Sequence, residues 1–138
     1  MNPPRSLPKI LGLALAPLML LAGCGEPGPR FYPLEGTVLF RGKPLAGAEL
    51  AFHPVFDGPG WVPVAVSGDH GAFAAGSKWP GDGVLLGRYK VTVIWRPRVN
   101  EDGEGPNLLP PRYARADTTD LEIEATADGS RPITLDLH

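Results

Sequence analysis

The sequence predicts an all-β domain, a seven-stranded Greek-key β-sandwich, preceded by a helical signal peptide. Three observations carry that expectation. Seven short runs alternate apolar and polar residues with the period of two of a half-buried strand. Eighteen Gly and seventeen Pro, about a quarter of the 138 residues, fall mostly between those runs and read as turns. No stretch beyond residue 24 keeps the helical period over ten or more residues, so no amphipathic helix is available to cover a sheet face.

The first element is the leader, residues 1–23. Met1 to Lys9 carries Arg5 and Lys9 and no acid, the charge pattern of a signal-peptide n-region. Ile10 to Ala22 is a thirteen-residue apolar run interrupted by Pro17, short of the about twenty residues needed to span hydrocarbon. It ends in Leu21-Ala22-Gly23-Cys24, which resembles the lipobox of bacterial lipoprotein precursors. That resemblance implies diacylglycerol on the Cys24 thiol, cleavage just before it, and fatty chains such as palmitate holding the protein at a membrane. Two or more chains on one residue anchor stably where one does not. The alternative is a conventional cleavage site with an incidental cysteine, which would leave a free thiol on an exported protein. Residue 26 is Glu and not Asp, which by the same resemblance favours the outer over the inner membrane. Residues 24–32 then form the lipidated cysteine and a turn-rich tether, and 33–138 the domain.

The strands follow in order. Leu34, Gly36, Val38 and Phe40 share one face of the first run. Arg41-Gly42-Lys43-Pro44 supplies a turn, after which Ala48, Leu50 and Phe52 alternate with Glu49, Ala51 and His53. Val62, Val64 and Val66 alternate with Pro63, Ala65 and Ser67, and a short strand around Phe73 follows the turn Gly68-Asp69-His70-Gly71. Tyr89, Val91, Val93 and Trp95 form the fifth apolar stripe, Leu121, Ile123 and Ala125 the sixth, and Ile133, Leu135 and Leu137 the last. Each run is expected to bury its more apolar side and wet the other. Without a covering helix, the stable solution is sheet packed on sheet.

The turns resemble those of carboxypeptidase-regulatory-like domains, which are transthyretin-like (Ig-like) sandwiches. Gly36-Thr37-Val38 with Gly42-Lys43-Pro44-Leu45-Ala46-Gly47-Ala48 is similar to their opening hairpin. Gly68-Asp69-His70-Gly71-Ala72-Phe73 is similar to their Asp-x-Gly-x-Phe turn, and Gly87-Arg88-Tyr89-Lys90-Val91-Thr92-Val93 to their Gly-x-Tyr-x-Val strand. Pro110-Pro111-Arg112-Tyr113 matches a stretch that small lipoproteins of this kind carry before their last two strands. The resemblance covers about half of the domain and implies a fold, not a chemistry. Physically, Gly42, Gly71 and Gly87 are expected at backbone angles other residues resist, with Phe73 and Tyr89 in the core.

Composition narrows the function. Without Arg5 and Lys9, eleven of the thirteen basic residues remain against fifteen acidic ones, a formal charge of −4; this is no footprint for nucleic acid. A lone cysteine excludes an intrachain disulfide. His53, His70 and His138 are unpaired in sequence, whereas a zinc site wants three or four converging ligands. Asp57 and Asp69 could join them only through the fold, so neither a metal nor a cofactor is expected. Ser67, Ser77 and Ser130 lie outside any Gly-x-Ser-x-Gly elbow, and Glu122 and Glu124 on one strand face read as solubility. One relative of transthyretin, a hydrolase of 5-hydroxyisourate, ends in Tyr-Arg-Gly-Ser, but this chain ends in Asp136-Leu137-His138, so that activity is not carried over; with no convergent set of catalytic groups, no enzyme is expected. The loops 53–61, 76–87 and 97–111 are the working surface, with Phe56, Trp61 and Trp79 as candidate ligand-binding residues. The reading is a non-enzymatic interaction or structural module of the cell envelope, held at the membrane through Cys24, with an envelope protein or a glycan as partner. The alternative is a carbohydrate-binding module stacking sugars on Trp61 and Trp79.

Overall fold

A computed structural model of the chain describes residues 27–101, 103–128 and 131–138, together with 2–4, 12, 23 and 25. The expected signal peptide is thus described at a few positions only, and Cys24 lies outside the described residues. No helix among the described residues is long and apolar enough to cross a membrane.

The described residues hold ten strands: β1 (Glu35–Phe40), β2 (Lys43–Pro44), β3 (Glu49–Pro54), β4 (Val64–Val66), β5 (Ala72–Ala74), β6 (Gly87–Ile94), β7 (Arg98–Asn100), β8 (Gly103–Glu104), β9 (Glu122–Ala125) and β10 (Ile133–Leu137). A 3-10 turn over Pro111–Ala114 is the one helical element among them. Each of the seven alternating runs contains a strand. The other three lie where turns or loop were expected: β2 zips the turn after β1, and β7 and β8 form a small hairpin inside the 97–111 loop.

Two four-stranded sheets carry the molecule. In one, β10 runs parallel to β1, while β5 and β2 pair antiparallel with the two ends of β1. In the other, the antiparallel order is β4-β3-β6-β9. Leu34, Val38, Phe73, Leu135 and Leu137 from the first sheet meet Leu50, Phe52, Tyr89, Val91 and Val93 from the second in one buried cluster. Withdrawing each such side chain from water contributes about 1.5–3 kcal/mol. All buried apolar side chains among the described residues lie between Leu34 and Leu137. Gly42, Gly71 and Gly87 have φ of 77°, 76° and 142°, the left-handed angles that a side chain disfavours.

The face of β4 is the reverse of the expected one. Pro63, Ala65 and Ser67 point inward, and Val62, Val64 and Val66 stand in solvent. Cross-strand register decides this. Ala65 sits opposite Leu50, which is buried, so it must share that inner face, while Val64 sits opposite Ala51 on the outer face. Two anchors hold the register. The Ser67 hydroxyl donates to the Leu45 carbonyl at 2.6 Å and accepts from the Ala48 N–H at 2.8 Å. On the outer edge, the N–H and carbonyl of Val64 exchange bonds of 3.0 and 2.9 Å with Gly76. The inner side of β4 is thus filled by Pro63, Ala65 and the hydrogen-bonded Ser67, and the valines take the outer side. Hydropathy counted residue by residue cannot see that.

The crossover from β6 to β9 is tied down by Tyr113 of the 3-10 turn, buried under β6. Its hydroxyl donates to the His138 carbonyl at 3.1 Å and accepts from the His138 N–H at 3.1 Å. Arg112 donates to the same hydroxyl at 2.8 Å and also to the His138 carbonyl. The end of β10 is thereby fastened to the crossover.

Candidate functional site

The 76–84 loop is built around Asp82. Its carboxylate accepts from the N–H groups of Ser77 at 2.6 Å and of Lys78 and Trp79 at 3.1 Å each. The Asp82 N–H donates back to the Trp79 carbonyl at 3.2 Å, and the Ser77 hydroxyl donates to the Gly83 carbonyl at 2.7 Å. Desolvation pushes the Asp82 carboxyl upward, but the N–H groups of Ser77, Trp79 and Lys78 favour the ionised form and prevail, holding it below its ordinary value of 3.8. An Asp five residues after a Ser in a Gly-rich stretch is the sequence trace of this turn.

The turn displays Trp79, which is 73% exposed, the most exposed of the large apolar side chains described. Nothing in the core requires it there. Behind it lies an open groove of about 390 Å³ lined by Val64, Val66, Ala74, Lys78, Trp79 and Pro80 among others, with Lys78 its one ionisable group. A second, adjoining groove runs over the outer sheet face along Val64, Val66, Ala51, Thr92 and Ile94. With Val66 at 67% and Val64 at 57% exposure, Trp79 and the valines form one apolar surface of the kind that marks contact sites.

Trp61 adjoins the same loop but is half-buried. Its ring lies 5.3 Å from that of Phe31, and the Lys78 ammonium sits 4.9 Å from its centroid. Phe56 goes elsewhere: it packs edge-on against Tyr89 at 5.4 Å and lies over the bare Cα of Gly87, where a Cβ would come within 2.6 Å of the ring. Of the three candidate residues, the fold therefore brings Trp61 and Trp79 to one loop through Lys78 and uses Phe56 as a structural cover. Trp95 is also structural, donating from its indole to the Ala46 carbonyl at 3.0 Å.

The histidines do not converge. His53 bonds Thr92 through Nε2 at 3.0 Å on the outer sheet face, His70 is exposed in its turn, and the backbone of His138 is held by Tyr113. Among the described residues no group of three or more His, Cys, Asp or Glu is placed to hold a metal ion. Glu122 pairs loosely with Arg88 at 3.5 Å and Lys90 at 3.8 Å on the surface, contacts of small energetic weight. Sequence reasoning missed the valine strip, because its residues were assigned to the core.

Compared with known proteins, the chain matches no family model, no curated protein and no solved structure.

Proposed function

We propose that this chain is a lipid-anchored module of the bacterial cell envelope that works by contact and not by catalysis. On this reading, cleavage before Cys24 leaves a lipidated N-terminus and a short tether, favouring the outer membrane. The domain is then a Greek-key β-sandwich of seven principal strands, of the transthyretin-like kind that its hairpins resemble. The observation that carries the reading is Trp79: a rigid, hydrogen-bonded turn holds a large apolar ring in solvent beside exposed valines. Such an arrangement is costly for solubility and is retained where a partner covers it.

Two measurements test it. The native protein should begin at Cys24 and carry the mass of diacylglycerol; a chain retaining Met1 or an unmodified sulfur overturns the anchor. A photo-cross-linking residue at position 66 should form adducts in whole cells, while one at position 122 should not. Equal labelling, or none at either, overturns the contact surface.

The free ring of Trp79 also favours a second reading, a carbohydrate-binding module. Sugars need several polar partners around the stacking ring, and Lys78 is the one charged residue along the groove. Ser77 has already given its hydroxyl hydrogen to Gly83. Quenching of tryptophan emission by peptidoglycan fragments in the wild type, abolished in Trp79→Ala, would establish that alternative.

A further inference from the structure

The place where the tether joins the domain carries a more specific conclusion about what Trp79 touches. Tyr32 forms a two-way backbone bridge with Val84, its N–H donating to the Val84 carbonyl and its carbonyl accepting from the Val84 N–H, both at 2.8 Å. Gly83 is pressed so closely on Tyr32 that a Cβ there would lie 2.3 Å from the Tyr32 carbonyl oxygen. The chain coming from Cys24 therefore docks on the same loop that displays Trp79. The contacts continue outward with Phe31 against Trp61 and the Lys78 ammonium over Trp61; Trp79 follows Lys78 in the chain. Arg30 lies over the Tyr32 ring at 5.2 Å. Three aromatic rings and two cations thus stand where the tether enters, on the loop that also displays Trp79.

From Cys24 to Phe31 is seven residues, which fully extended reach at most about 25 Å. A domain anchored by such a lead cannot hold this end far from the bilayer. Tryptophan and tyrosine rings, and cations on long apolar stems, are the side chains that partition to the membrane–water interface. The carboxylate nearest to Trp79 in the loop, Asp82, is turned onto backbone N–H groups.

We infer that the tether-proximal end bearing Arg30, Phe31, Trp61, Lys78 and Trp79 is a membrane-docking face. It rests on the headgroup region of the bilayer in which Cys24 is anchored and fixes the orientation of the domain. The partner at this end is a lipid surface, with the cations toward anionic headgroups and the Trp79 ring among the upper acyl carbons. The inference rests on the lipid-anchor reading above but is tested independently of it.

The test uses the chain from Cys24 onward, the mature form on the lipid-anchor reading, which contains every described core side chain, with its single thiol coupled to a maleimide phospholipid in phosphatidylglycerol–phosphatidylethanolamine vesicles. Tethered wild type should show a blue shift in tryptophan emission and quenching by lipids brominated high on the acyl chain. Trp79→Ala should lose most of both while keeping the wild-type thermal midpoint, since the ring supports no core contact. Lys78→Glu should weaken quenching more on phosphatidylglycerol-rich than on phosphatidylcholine vesicles. Identical emission and quenching for tethered wild type and Trp79→Ala overturns the proposal. So does a blue shift produced by peptidoglycan fragments and not by vesicles, or an adduct between a photo-cross-linker at position 79 and protein in place of lipid. Because the tether is supplied chemically, failure here leaves the native mass of Cys24 untouched. An unmodified Cys24 in the native protein would refute the anchor without altering the vesicle result.

Discussion

Ser67 and Asp82 do comparable work in different settings. Ser67 is 5% exposed and satisfies one buried carbonyl and one buried N–H with a single hydroxyl. Replacing it by alanine orphans both, so Ser67→Ala should lower unfolding stability by about 1–3 kcal/mol in denaturant titration. Asp82 organises an exposed loop and not the core. Its carboxyl is held below the ordinary carboxylate value, so its contribution is full above that value. It is lost as pH falls through the lower folded-state value. Acidification should therefore loosen the Trp79 turn, read as a change in Trp79 emission or as proteolytic cutting between residues 76 and 84. Asp82→Asn should be nicked there even at neutral pH, because an amide cannot accept from three N–H groups as a carboxylate does. Its global unfolding midpoint should change little, since no core side chain leans on that carboxylate.

At the scale of the element, β4 is the instructive case. Its alternation is genuine, yet the more hydrophobic side faces out because register with β3 places Ala65 beside Leu50. Val66→Glu should accordingly stay within about 0.5 kcal/mol of wild type, as surface substitutions do. Leu50→Ala, on the neighbouring strand but in the core, should cost about 2–5 kcal/mol through lost transfer energy and the cavity left behind. Chemical denaturation of the two variants checks the assignment directly; the opposite ranking would restore the inward valines. β9 presents the complementary solution at the far edge of the same sheet. Glu122 and Glu124 line its outer side, and charge on an edge strand resists pairing with other chains.

For the whole molecule, the decisive feature is that the first and last long strands are neighbours. β1 and β10 pair in parallel from Gly36–Ile133 to Phe40–Leu137, and the Tyr113 hydroxyl and Arg112 secure the end of β10. Parallel pairing of the termini can form only once the intervening chain is in place, which couples both sheets into one cooperative unit. A chain ending before Ile133 should lose Leu135 and Leu137 from the core and fail to show a cooperative thermal transition by circular dichroism. Removal of residues 1–23, in contrast, should leave that transition unshifted, because no described core side chain precedes Leu34.

Periodicity alone sufficed for the all-β class and for strands at all seven alternating runs, since a period of two is imposed by backbone geometry and needs no partner. The same local logic predicted Phe73 and Tyr89 as core residues and the positive φ of Gly42, Gly71 and Gly87, whose causes lie within a few residues. What tertiary structure alone decided was everything that depends on who sits opposite. The outward valines of β4, the structural use of Phe56 on Gly87, and the convergence of the tether, Trp61, Lys78 and Trp79 all arise from contacts between segments far apart in sequence. A pattern read along one strand records which residues can be buried. The neighbouring strand determines which face is.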